Sequence, residues 1–197
     1  MRRVFLVLVT CVVAASLSMA DDGLLPYVPG SGGDPWEGAR AVLWVNTPDF
    51  ASIGMSSEVI ESYDMESETA DDFLLDISSA VQKVIWWGVY YHYEGAPPET
   101  GFNLRFYHDS GCLPEAEPFA EYIIDGDANE TLADGGDMFS QFVYWHCICL
   151  QLPAGQYWFS AQCAHVFPPQ WFRIGADMVQ LCECAFRSVY FLSLIHI

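Results

Sequence analysis

Residues 81–93 read VQKVIWWGVYYHY. Along an extended chain, alternate side chains point to opposite faces. Trp86, Gly88, Tyr90 and His92 then line one face, and Trp87, Val89, Tyr91 and Tyr93 the other. Both faces are aromatic, whereas an ordinary half-exposed strand has one apolar face. This run constrains the fold more than any other. It needs a place where one face is core and the other is either covered or offered to a ligand.

The rest of the chain supplies partners of the same kind. Ala41–Val45, Asp72–Ile77, Phe102–Tyr107, Phe119–Ile124, Phe139–Leu152, Gln156–His165, Trp171–Ile174 and Val179–Tyr190 all read as strands, separated by Gly, Pro and Asp clusters. Pro153-Ala154-Gly155 between two of them has the spacing of a tight hairpin, with Leu152 facing Gln156. Only Ser56–Glu68 looks helical, and it lacks a clean apolar stripe. About eight short strands and no repeat predict an all-β fold, a two-sheet antiparallel β-sandwich of jelly-roll type.

The ends read as processing and scar. Arg2 and Arg3, the apolar run Val4–Leu17 and Ser18-Met19-Ala20 have the layout of a secretory signal peptide over residues 1–20. Residues 21–39, rich in Gly, Pro and Asp, are expected to form an extended leader before a sandwich domain at 40–191. Leu192–Ile197 reads LSLIHI, which one choice of codons (CTG TCT CTT ATA CAC ATC) makes a sequencing-library adapter, so 192–197 is expected to be translated adapter and the natural chain to run on. Without Arg2 and Arg3 the chain keeps 5 of its 7 basic residues against 26 acidic ones, a charge of −21. That argues against nucleic acid and against anionic membrane surfaces as partners, and no membrane insertion is expected after signal cleavage. The expected location is secreted or at the cell surface.

Four ordered pieces carry a family resemblance. They are Thr69-Ala70-Asp71-Asp72-Phe73; Val84–Gly88; Asn103–Asp109 with Gly111 and Leu113-Pro114; and Leu152–Trp158. The series resembles an uncharacterised group of bacterial secreted β-sandwich domains with a TADDF-type start, an FY-x-D strand end, a G-x-LPG-like loop and an L-x-AG-x-YW hairpin. The resemblance implies an exported sandwich, carbohydrate-binding in outline, of a kind that often carries a surface-sorting segment. It brings no catalytic residues. The chain departs from the pattern at Cys112 and Glu115, where small residues are usual.

Beyond the signal, six cysteines remain: Cys112, Cys147, Cys149, Cys163, Cys182 and Cys184. An even number in an exported chain implies disulfides. The two C-x-C pairs point the same way along a strand and are not expected to close on themselves. The hairpin register puts Cys163 opposite Trp145, too far from Cys147 for a bond. Cys147 and Cys149 are therefore expected to pair with Cys112 or with the Cys182/Cys184 strand. His146 and His165 beside the thiols suit zinc or copper, but export favours oxidation. Asp125, Asp127 and Asn129 mimic the first ligands of a calcium loop, with Asp134 and Asp137 as further donors, although Glu130 and Gly136 break the EF-hand pattern. Calcium at Asp125, Asp127 and Asp137 is the one cofactor expectation, against a plain solvated turn. Asp71, Asp72 and Asp109 form a second acidic group.

No nucleophile elbow, HExxH motif or phosphate loop is present, and Lys83 is the only lysine. The chain is therefore read as a non-catalytic extracellular binding or adhesion module. Its partner would be a glycan or another cell-surface component, with Trp86, Tyr90, His92 and Trp158 as the stacking residues. The alternatives are a structural spacer in a larger surface protein and a secreted polysaccharide-active enzyme or accessory.

Overall fold

The computed structural model describes residues 43–46, 48, 54–91, 100–126, 128–135, 139–175, 181–182, 185–188 and 193–196. They form β1 (Met55–Ser56), β2 (Glu58–Ile60), β3 (Met65–Leu75), β4 (Ser79–Tyr91), β5 (Gly101–His108), β6 (Ala120–Ile124), β7 (Thr131–Gly135), β8 (Phe139–Leu152), β9 (Gly155–Ala164), β10 (Gln170–Arg173), β11 (Ala185–Ser188) and β12 (Ser193–His196). Two sheets pack face to face, one ordered β1-β10-β4-β8-β7 and the other β12-β11-β3-β2-β9-β5-β6, with β3 also bonded to β9. All pairings are antiparallel except β2 with β9. The all-β sandwich is as expected, with more strands than the sequence suggested.

The core lies between Trp86, Tyr90, Phe142, Tyr144 and Trp171 of the five-stranded sheet and Phe102, Leu104, Phe106, Phe159 and Ala161 of the seven-stranded one. Residues i and i+2 of β4, β5 and β9 supply it, which is why their alternation was visible in the chain. Trp86 stacks on Tyr144 at 5.8 Å and meets Phe102 edge-on at 5.1 Å. Burying each such ring contributes about 1.5–3 kcal/mol.

The second face of β4 is covered too. Trp87 and Val89 are buried with Val143 and Ile174, and only Tyr91 keeps about a third of its surface, 36%. Gly88 sits between Trp86 and Tyr90 on the core face for a steric reason: a Cβ there would lie 2.1 Å from the Trp171 ring. Gly88→Ala is expected to cost about 1–3 kcal/mol by overpacking. A denaturation midpoint equal to that of the parent protein would contradict this.

Two expectations are corrected. Pro153-Ala154-Gly155 does not close a hairpin: β8 ends paired to β4, with Leu152 opposite Ser79, while β9 begins paired to β3, with Gly155 opposite Leu75. The three residues carry the chain from one sheet to the other, beside the β3–β4 crossing, and Leu75, Leu152 and Tyr157 pack in the corner. Ser56–Glu68 is not a helix but β1, β2, one 3-10 turn at Glu61–Tyr63 and the start of β3. Its polar residues are used across the sheet. Ser57 Oγ donates to the Ala161 carbonyl (2.8 Å) and accepts from the Thr69 amide (3.1 Å). Of the Ala41–Val45 strand, the described residues 43–45 carry no regular structure.

Candidate functional site

Three of the four sequence pieces that carry the resemblance meet at one end of the sandwich. β5 ends at His108, and Asp109 then accepts from the amides of Gly111 and Cys112 (both 3.1 Å) and from the Trp158 indole N–H (2.9 Å). Cys112 is held at φ 65°, a left-handed conformation that costs a residue with a side chain about 1–2 kcal/mol. It is bonded to Cys182 with Cα atoms 5.5 Å apart. Asp72, from β3, accepts from the Cys182 amide (3.1 Å) and from Gln156 Nε2 (2.8 Å) on the strand beside it. The acidic residues here are fastenings: each carboxylate holds amides of the loop that crosses the sheet.

Two predictions arise from these carboxylates. Asp109→Ala strands the Trp158 indole N–H, whose residue is 0% exposed, and is expected to cost about 2–3 kcal/mol. Asp109→Asn keeps an acceptor and should lose less than half of that in the same urea titration. Burial raises the Asp72 carboxyl above 3.8, and the neighbouring Asp71 charge raises it further. The folded chain thus holds this proton at pH values where the unfolded chain has released it. The contribution of Asp72 to stability therefore falls as pH rises from 3.8 through the folded value, and returns on acidification. Asp72→Asn should abolish that slope; a stability difference between the two proteins that is flat with pH would overturn it.

Beside this loop lies a group of aromatic rings, two of them exposed. His108 stacks on Phe119 with ring centroids 4.3 Å apart and 26° between planes. Tyr157 lies 5.8 Å from both rings, and Phe73 lies 5.7 Å from Tyr157. His108 is exposed and Phe119 keeps 36% of its surface, while Tyr157 is buried with its hydroxyl donating to the Pro153 carbonyl (3.1 Å). Exposed Glu115 and Glu117 flank these rings, and the Glu115 amide bonds the His108 carbonyl at 3.0 Å.

A second polar cluster joins the sheets. Glu58 and His165, both without exposed side-chain surface, are paired at 2.9 Å, and the same Glu58 oxygen accepts from the Trp171 amide at 2.8 Å. Cys163 faces Glu58 across the β2–β9 pair and is buried. A thiol, an imidazole and a carboxylate here invite a hydrolase reading, but the thiol is inside the core. Burial, then the charges of Glu58 and Glu130, push Cys163 well above its ordinary value, so it stays a neutral S–H. On the outer face of the seven-stranded sheet, buried Glu68 accepts from Arg105 Nη1 (3.2 Å), Arg187 Nε (2.7 Å) and the Tyr107 hydroxyl (2.6 Å). Burial and the Glu68 charge raise the Tyr107 phenol and keep it a donor.

The stacking set proposed from sequence is not a surface. Trp86 and Tyr90 are core at 1% and 0% exposure, Trp158 is buried under the disulfide loop, and His92 lies outside the described residues. Large aromatics of a two-sheet fold are spent on its core before any ligand is served. Asp125 is exposed after β6, whereas Asp127 and Asp137 lie outside the described residues, as does Cys184. Among the described residues no group of three or more His, Cys, Asp or Glu is placed to hold a metal. The zinc or copper grouping is dispersed, because β8, with His146, Cys147 and Cys149, lies in one sheet and Cys163, with His165 following its strand, in the other. The disulfide is Cys112–Cys182, and Cys147, Cys149 and Cys163 form no disulfide, which corrects the expectation that Cys147 and Cys149 would pair with Cys112 or Cys182. His108 and Phe119 were missed; the FYHD strand end and the Pro118-Phe119 start of β6 were the only signals of them. No helix of the described residues is long and apolar enough to cross a membrane. No protein-family model, curated protein or solved structure matches the chain.

Proposed function

We propose that this chain is an extracellular, non-catalytic binding module that takes a neutral glycan at the rim formed by His108, Phe119 and Tyr157. The observation that carries the reading is the solvent-exposed His108–Phe119 stack. Sugar rings present apolar C–H faces to such rings, and their hydroxyls find acceptors in flanking carboxylates. Exposed Glu115 and Glu117 are those acceptors. The excess of 26 acidic over 7 basic residues disfavours polyanionic ligands. The signal-like N-terminus and the resemblance to secreted sandwich domains support export.

Phe119→Ala is expected to weaken glycan binding about tenfold, the loss of one stacking contact of about 1.4 kcal/mol. His108→Ala should act similarly. A glycan array followed by calorimetry reads the effect. Binding unchanged in both variants would remove the rim from the account. Silence of the parent protein across neutral glycans, with cooperative unfolding intact, would favour the spacer reading, which the burial of Trp86, Tyr90 and Trp158 already supports.

A further inference from the structure

We infer that Cys147 and Cys149 form a two-coordinate site for a soft monovalent cation, Cu(I) or Ag(I), on the outer face of the five-stranded sheet. Neither thiol is in a disulfide, both are exposed, and both point outward from β8 because they are two residues apart on one strand. Cys163, by contrast, is sealed in the core and takes no part.

Geometry separates a metal from a disulfide at this pair. Residues i and i+2 of a regular strand are about 6.6 Å apart; here β8 carries one extra residue against β4, between the Lys83–Cys147 and Val81–Leu150 partners, and the two thiols are exposed on either side of buried Ile148. A disulfide needs Cβ atoms within about 4.5 Å, so the pair does not close on itself. Two sulfurs on one ion need only approach to about 4.6 Å, twice a metal–thiolate bond, which rotation about χ1 allows. Thiolates select soft ions, and a two-coordinate ion needs none of the further donors that the described residues lack here.

The charge also balances. Each S–H gives its proton to solvent, the cation gains two sulfur bonds, and no electron moves. The resulting complex carries one negative charge. Lys83, the only lysine, is the cross-strand partner of Cys147, with its ammonium 4.6 Å from the centre of the Trp145 ring on the same outer face. It supplies the matching positive charge. The backbone beneath is pinned, since the Tyr122 hydroxyl donates to the Cys149 carbonyl (3.4 Å).

The test uses the full chain, reduced and freed of reductant without air, titrated against Cu(I) held by bicinchoninate. The chain is expected to withdraw one Cu(I) per molecule, with Ag(I) competing for the same site. Cys147→Ser and Cys149→Ser should each abolish the withdrawal without moving the melting midpoint, because both side chains are exposed, and Cys184→Ser should leave it intact. Failure of the parent chain to draw copper from the chelator overturns the site, as does full uptake by the double Cys147→Ser, Cys149→Ser variant. A disulfide-linked dimer lost in that double variant, with no copper uptake by the reduced monomer, would also overturn it and make a second copy of the chain the partner.

Discussion

Replacing Glu58 by alanine is expected to destabilise the protein by about 3–5 kcal/mol. The reason is what the alanine leaves behind. His165, its side chain fully enclosed, loses its Glu58 hydrogen bond, and the Trp171 amide loses its acceptor. Water cannot enter to replace either bond, so the full desolvation cost of both groups is exposed. The contacts also cross between sheets: Glu58 belongs to β2 of the seven-stranded sheet and Trp171 to β10 of the five-stranded one. A loss of this size is a large share of the 5–15 kcal/mol that holds an ordinary domain together. Glu58→Gln keeps the shape and one acceptor and should fall between the two. Urea unfolding followed by tryptophan emission reads the difference; a Glu58→Ala loss below about 1 kcal/mol would mean that water reaches the cluster.

Breaking the Cys112–Cys182 bond is expected to cost about 4 kcal/mol. The bridge closes a loop of 70 residues, and the chain entropy it removes from the unfolded state has that size. The loss has a local signature as well. Cys182 lies three residues before β11, which is held to β3 by the Arg187–Glu68 contacts and by strand pairing. With the bridge reduced, the Cys112 turn keeps the Asp109 contacts and its own backbone bonds, Ser110 to Leu113 and Glu115 to His108, whereas the Cys182 segment loses its covalent tie, so Arg187 is expected to open to trypsin before Arg105. Limited trypsin digestion before and after reduction should show cleavage at Arg187 ahead of Arg105. Simultaneous cleavage at both, or an unchanged melting midpoint in Cys112→Ser with Cys182→Ser, would contradict the role given to the bridge.

The strands were legible because their pattern is local. Phe102, Leu104 and Phe106 alternate with Asn103, Arg105 and Tyr107, and the structure places the first three in the core and the others on the far side of the sheet. The bounds of β8, Phe139–Leu152, follow from its unbroken run of β-formers between polar turns. The rim was not legible. His108 and Phe119 are eleven residues apart on separate segments, and only the β5–β6 pairing brings their rings to 4.3 Å. Trp158 and Tyr157 are neighbours in the chain, yet one lies under the disulfide loop and the other in the corner between the sheets.

What the amino-acid order determined by itself was the class of the fold: β-structure throughout, two aromatic faces on β4 of which one is core, and a strongly acidic composition. Periodicity and composition are properties of short windows, and short windows carry them without help. What only the tertiary structure decided was partnership. A three-residue link such as Pro153–Gly155 serves equally well to join two strands of one sheet or to pass between sheets, and the choice rests on which distant surfaces bury the most apolar area. That choice placed Cys163 away from Cys147, gave Cys112 to Cys182, and left two thiols facing outward, because contacts between residues far apart in the chain are settled by packing and not by sequence neighbours.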